Sequence, residues 1–139
     1  DILSDHALND AVVKSDVNCV DLTVASDGKD IARFSGDGVI CATPTGSTAY
    51  SMSAGGPIIE PEAQDIVVTP ICAHSMSARS FVLSPGRFIT ITPKHRDSRR
   101  VFLRPGDEVH VRRSSNTLVL ADMGGESFYE AALGKLAKL

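Results

Sequence analysis

Apolar residues recur at every second position along most of this chain, and turn-forming residues interrupt them every ten or so positions. A strand sends successive side chains to opposite faces, so this pattern predicts half-buried β-strands rather than amphipathic helices. Val20, Leu22 and Val24 share one face, Asp27-Gly28 supplies a tight hairpin turn, and Ile31 and Phe34 lie in the returning segment. Ser84-Pro85-Gly86 leads into FITIT, where Ile89 and Ile91 share a face. Arg104-Pro105-Gly106-Asp107 leads into Val109 and Val111, and Leu118 and Leu120 predict one more alternating strand. Val39 to Ala42 (VICA) departs from the alternation: four consecutive apolar residues predict a strand buried on both faces. Ile66 to Cys72 is a second such run, and Pro70, which cannot donate to a ladder, predicts an edge or a strand end there. Periodicity of this kind fits an antiparallel sandwich or a barrel equally.

Two segments predict helix. From Ser127 the apolar spacing widens, with Phe128, Ala131, Ala132, Leu136 and Leu139 at helical intervals, Ser127 and Glu130 forming a capping box, and Lys135 and Lys138 near the C-terminal end. A shorter helix is predicted from Thr48 to Ala54, opened by Thr45-Gly46-Ser47 and closed by Gly55-Gly56-Pro57. At 139 residues the chain predicts one domain.

The 14 basic and 17 acidic residues leave a net charge of -3, which argues against nucleic acid as a partner. No apolar run approaches a membrane span and the start lacks a signal pattern, so neither membrane nor export is expected. Cys19, Cys41 and Cys72 are odd in number and lack C-x-x-C spacing; each lies in or beside an apolar run, which predicts small buried hydrophobes in a reducing, cytoplasmic setting. His6, His74, His95 and His110 are scattered, and no His/Cys/carboxylate cluster predicts a metal site.

The stretch with chemical content is GDGVICATPTGSTAYSMSAGGP, Gly36 to Pro57. A buried strand feeding a hydroxyl-rich turn and a short helix presents backbone N–H groups and hydroxyls to a polar ligand. It lacks the lysine of a GxxxxGK[ST] phosphate loop and the G-x-S-x-G of a hydrolase elbow. Taken alone, the pattern fits a structural turn as well as a ligand site.

This stretch closely resembles the signature of the NAD kinase (ATP-NAD kinase) family, T-P-T-G-S-T-A-Y followed by S-A-G-G-P. Other pieces follow in family order: Ala7-Leu8-Asn9-Asp10 resembles its Asn-Glu/Asp motif, Thr69 to Ser75 resembles T-P-I-C-x-H-S, and Phe128 to Leu136 resembles its closing helix. The resemblance implies a mainly β domain over residues 1–139, an antiparallel β-sandwich with a short internal helix and a C-terminal helix at about 127–138. It implies phosphoryl transfer from ATP, or polyphosphate, to the 2′-hydroxyl of the adenosine ribose of NAD, giving NADP. The family's catalytic base lies in an N-terminal Gly-Gly-Asp-Gly domain that this chain does not contain, so no catalytic residue is expected here and the chain alone is expected to be inactive. Ser35-Gly36-Asp37-Gly38 is not that motif, since it begins with Ser and lies too late in family order.

Carried over residue by residue, the resemblance implies an NAD site built from Asn9, Asp10, Asp37, Thr45, Thr48, Ala49, Tyr50, Ser51 and Ser53. A carboxamide donates and accepts at once, which suits Asn9 to a ribose diol, with Asp10 orienting it. Thr48 and the Ala49 backbone suit an adenine edge, and Tyr50 a stacked ring. Asp37 suits an amine or carboxamide and, since NAD often lies between subunits in the family, can serve a neighbour's site. No tightly bound cofactor is implied; NAD and ATP are substrates, with a divalent cation such as Mg2+ accompanying ATP. The implied partners are the protein's own N-terminal domain and further copies of itself, as a dimer or tetramer. A regulatory nucleotide-binding module without activity is the rival reading, and a lipid kinase is disfavoured by Asn9 and the TGSTAY run.

Lys94 to Arg100 is a basic run that reads as a solvated loop, or as an electrostatic aid to holding ATP. One departure from the family stands beside it: the Asp-Gly-containing strand expected after Ser98 is replaced by a direct Arg99-Arg100 join.

Overall fold

A computed structural model describes residues 3–15, 19–94, 103–119, 121 and 123–137. The basic run from His95, the Arg99-Arg100 join, Leu120, Lys138 and Leu139 lie outside the described residues. Eight strands are described: β1 (Asp10–Lys14), β2 (Val20–Ser26), β3 (Lys29–Gly36), β4 (Gly38–Ala42), β5 (Ile66–Ile71), β6 (Phe81–Leu83), β7 (Ile89–Pro93) and β8 (Val109–Val111). They form two four-stranded sheets, ordered β1-β4-β5-β6 and β3-β2-β7-β8, with every pairing antiparallel.

The inner faces meet in one core. Val13, Val39, Cys41, Ile66 and Val68 of the first sheet pack with Leu22, Val24, Phe34, Ile89 and Ile91 of the second. Alternation along β4 sends Ile40 and Ala42 the other way, where they join Val67 and Ile71 beneath Ala54 and Ile59. Every residue of β4 is buried, as four consecutive apolar side chains require. The fold is therefore the expected antiparallel sandwich, with the segment after β4 folded onto the outer face of the first sheet.

Local expectations hold at the turns. Asp27 and Gly28 both take positive φ, 48° and 77°, as the tight turn between β2 and β3 demands. The Phe88 N–H and the Arg87 guanidinium both donate to the Asp27 carboxylate, the backbone bond first among the causes that hold its pKa below the usual value. Pro70 lies opposite Val39 of β4 and beyond the reach of β6, which pairs only with Ile66 to Val68, so its missing N–H faces no strand. The C-terminal helix α3 (Phe128–Leu136) carries the capping box in full, the Ser127 N–H donating to Glu130 Oε2 at 2.7 Å.

Three expectations are corrected. The internal helix is two short turns, α1 (Pro44–Ser47) and α2 (Tyr50–Ser53): Thr43 rather than Thr45-Gly46-Ser47 caps the first, and Ala49, at φ −110° and ψ −123°, interrupts the helical path between them. No strand forms at Leu118: Leu118 and Val119 are exposed and irregular, and β8 has no second neighbour among the described residues. Only Cys41 is a buried hydrophobe; Cys19 and Cys72 flank strands but lie at the surface.

Burial pushes the Cys41 thiol up from 9.0 to about 12. At pH 8 iodoacetamide is therefore expected to alkylate Cys19 and Cys72 in the native protein and Cys41 only after denaturation. Rapid modification of all three, read by intact-mass spectrometry, would contradict this core. The linkage has a definite sign: above pH 9 the unfolded thiol releases its proton while the folded one keeps it. Cys41 thus lowers stability as pH rises from about 9 toward 12.

Candidate functional site

The turn after β4 is built from its own side chains and strapped to the start of β1. Thr43 is extended (φ −74°, ψ 170°), and its Oγ1 accepts the Gly46 N–H at 3.1 Å, which makes it the N-cap of α1. Pro44 follows at the first helical position, where a missing N–H costs nothing. The same threonine Oγ1 donates to Leu8 O at 2.7 Å, while the Thr43 N–H donates to Asn9 O at 2.9 Å. Gly46 then lies flat on that backbone: a Cβ there would stand 1.9 Å from Asn9 O. Sequence positions 37 apart are thereby fixed against each other, and Asn9 leaves the strap with its carboxamide at the surface.

The remainder of the turn doubles back in the same way. Ser47, fully buried, donates to Pro44 O at 2.6 Å and accepts the Ile59 N–H at 2.9 Å. The Ala49 N–H donates to Gly46 O at 2.9 Å, closing α1, and Thr48 Oγ1 donates to Thr45 O at 3.2 Å. On α2, Ser51 turns inward and its hydroxyl pairs with Thr69 Oγ1 of β5 at 2.9 Å. Gly56 is admitted beside them because it has no side chain; a Cβ would lie 2.4 Å from Ser51 Oγ and 2.5 Å from Thr69 Oγ1.

Most of the expected NAD-site residues converge here. Asn9, Asp10, Thr45, Thr48, Ala49, Tyr50 and Ser53 all belong to the start of β1 or to the α1–α2 turn and keep exposed surface. Tyr50 and Ser53 are three apart on α2 and share its outer side, with Tyr50 38% exposed. Two expected residues stand apart. Ser51 has no exposed surface, and its hydroxyl supports the turn through Thr69. Asp37 lies at the opposite end of β4 from Thr43, about 20 Å away at 3.3 Å per strand residue. Its N–H donates to Ile71 O and its carbonyl accepts the Ser15 N–H, each at 2.9 Å. His74 belongs to the Asp37 end, its N–H bonded to Ser35 O and its Nδ1 3.8 Å from Cys19 Sγ. Thr69 to Ser75 thus runs from beneath α2 to the neighbourhood of Asp37.

α3 closes the other flank. Lys135, in the last turn of α3, places its Nζ 3.1 Å from Thr48 Oγ1 and 3.3 Å from Thr48 O. Tyr129 donates its hydroxyl to Glu60, and that bond, ahead of the Glu60 charge, raises the Tyr129 pKa. Between α3 and Ile58-Ile59-Glu60 lies an apolar cleft of about 410 Å³, lined chiefly by Ile58, Phe128, Tyr129, Leu133 and Leu136. None of the expected NAD-site residues lines it. Among the described residues no three His, Cys, Asp or Glu side chains gather to hold a metal.

Sheet order and site together define a class, a two-sheet antiparallel β-domain presenting a capped, hydroxyl-rich turn at the end of a doubly buried strand. Residues 9–123 match the model of the ATP-NAD kinase C-terminal domain, and the chain belongs to that family. It is 41% identical to an NAD kinase of Caldicellulosiruptor bescii over 94% of its own length and 53% of that protein's. Among solved structures it resembles yeast NADH kinase complexed with NADH, at 33% identity and TM-score 0.71 over 83% of this chain and 37% of that one. It also resembles an NAD kinase from Archaeoglobus fulgidus in complex with ATP, at 30% identity and TM-score 0.67 over 78% of this chain and 46% of that one. The chain spans about half the length of the curated relatives it matches.

Proposed function

We propose that this chain supplies the NAD-binding domain of an NAD kinase, which moves the terminal phosphoryl group of ATP, or of polyphosphate, to the 2′-hydroxyl of NAD's adenosine ribose. The observation that carries the reading is the strap between Asn9 and the Thr43–Gly46 turn, in a chain that belongs to this family. It fixes the Asn9 backbone against the turn that carries Thr48, Ala49 and Tyr50, and all four residues keep exposed surface.

In the reaction the ribose oxygen forms a bond to the γ-phosphorus as the bond to the bridging β–γ oxygen breaks, and ADP leaves. Positioning and charge stabilisation supply most of the rate in such transfers, so a domain that fixes the acceptor hydroxyl contributes directly. Asn9 would hold the ribose diol, Thr48 and Ala49 the adenine edge, and Tyr50 a ring face. The proton acceptor belongs to a Gly-Gly-Asp-Gly domain outside this chain, and a divalent cation would arrive with ATP. Asp37, at the far end of β4, would meet NAD bound to another copy, which makes the working protein a homo-oligomer. Three unpaired cysteines support a reducing, cytoplasmic setting.

An NADP-specific dehydrogenase coupled to the native protein, with NAD, ATP and Mg2+ supplied, tests the reading. NADP accumulating in proportion to protein concentration supports it. NAD binding without any NADP would instead support the regulatory module, and neither would end the NAD assignment.

Tyr50 separates ligand contact from packing. Tyr50→Phe is expected to keep most NAD affinity, losing at most one hydrogen bond of about 1 kcal/mol. Tyr50→Ala is expected to cost roughly 1–3 kcal/mol of binding, the range for a stacked base. A sharply lower melting temperature with unchanged affinity would make Tyr50 a packing residue.

A further inference from the structure

We infer that Lys135 is a positioning residue for the NAD site, acting through Thr48; the inference rests on the function proposed above. Lys135 and Thr48 are 87 positions apart, yet the lysine Nζ reaches both the hydroxyl and the carbonyl of Thr48, at 3.1 and 3.3 Å. An ammonium only donates, and a hydroxyl has one proton and two lone pairs. With Lys135 donating to Thr48 Oγ1, the threonine proton goes to Thr45 O, 3.2 Å away. The rotor is then fixed and one lone pair is left, so Thr48 meets a ligand as an acceptor of known direction.

The lysine is itself held. α3 begins in a complete capping box at Ser127 and Glu130, and Ala132 is buried against the domain. Phe128, Ala132 and Lys135 recur at four- and three-residue intervals, so one stripe of the helix carries both the buried alanine and the lysine. Near the other end of α3, Tyr129 is tied to Glu60. The helix therefore delivers a positive charge to one residue of the turn, beside a surface proposed to receive an anionic dinucleotide. A solvated lysine serving only solubility would not need this double contact.

The test uses the native protein and measures NAD dissociation constants by calorimetry, with KM, kcat and melting temperature alongside. Lys135→Met, which keeps the apolar stem and good helix propensity, is expected to raise the NAD dissociation constant and KM together by about three- to tenfold, the range of a single hydrogen bond. The value of kcat should stay within about twofold, since uniform binding is what is lost. Lys135→Arg, which keeps charge and donors, should remain near wild type. In a Thr48→Val background the same lysine change should cost clearly less, because only the carbonyl contact is left to lose. Unchanged affinity in Lys135→Met, an equal loss in both backgrounds, or an Arg variant as weak as the Met variant would each overturn the inference while leaving the NAD site standing. A wild-type protein that binds no NAD would overturn the proposed function and this inference with it.

Discussion

Gly46→Ala is expected to destabilise the domain by about 3 kcal/mol, the upper end of the overpacking range, and to lower its melting temperature by roughly 10 °C. The added methyl would meet Asn9 O at 1.9 Å, Asn9 C at 2.5 Å and Asn9 Cα at 2.9 Å, and all three are backbone atoms. No rotamer change can relieve that contact. Either the Thr43 bonds to Leu8 and Asn9 break or β1 shifts from its register against β4, where Asp10 faces Ala42. Gly86→Ala is the control, since nothing lies within 4 Å of the position its Cβ would take. Equal melting temperatures for the two variants, read by thermal denaturation, would mean that the strap is not closed as described.

Asn9→Ala is expected to leave the melting temperature nearly unchanged and to weaken NAD binding by about 1–3 kcal/mol, roughly five- to 150-fold, because ribose hydroxyls lose their partner. The structure separates the two roles of this residue. Its backbone carbonyl accepts the Thr43 N–H and survives the substitution; its carboxamide is exposed and does not. Calorimetric titration of the native protein gives the affinity, and a loss of stability with normal binding would place Asn9 in the scaffold instead.

Where chemistry is local, the sequence was a good guide. Val39 to Ala42 admits only a strand covered on both faces, and the turns at Asp27-Gly28 and the cap at Ser127 depend on residues within three positions of each other. Long-range pairing was less legible. Leu118 reads as a strand residue by alternation, but alternation cannot say whether a neighbouring strand is there to pair with it. The internal helix starts earlier than Thr45-Gly46-Ser47 implies, and the local signal for it is Thr43 followed by Pro44, an N-cap and first-turn pair. Cys19 and Cys72 look like their buried counterpart Cys41 because an apolar neighbourhood in sequence does not say which side of a strand end faces water.

The site divides the same way. A motif names residue types without saying which face of α2 each occupies, so Ser51 stands with Tyr50 and Ser53 in sequence while its hydroxyl is used on Thr69. Asp37 and Thr48 are close in sequence, but an extended β4 separates them. Lys135 is far from both in sequence and bonds directly to the turn. That contact is tertiary, and no local pattern carries it.

Hydrogen–deuterium exchange of the native protein with and without NAD tests the central claim most directly, because it reads where the ligand sits. Slower exchange is expected across residues 8–10 and 43–54 on adding NAD, with a second protected segment around Asp37 supplied by a neighbouring copy. Protection confined to the apolar cleft beneath α3, or none at all under saturating NAD, would contradict the account.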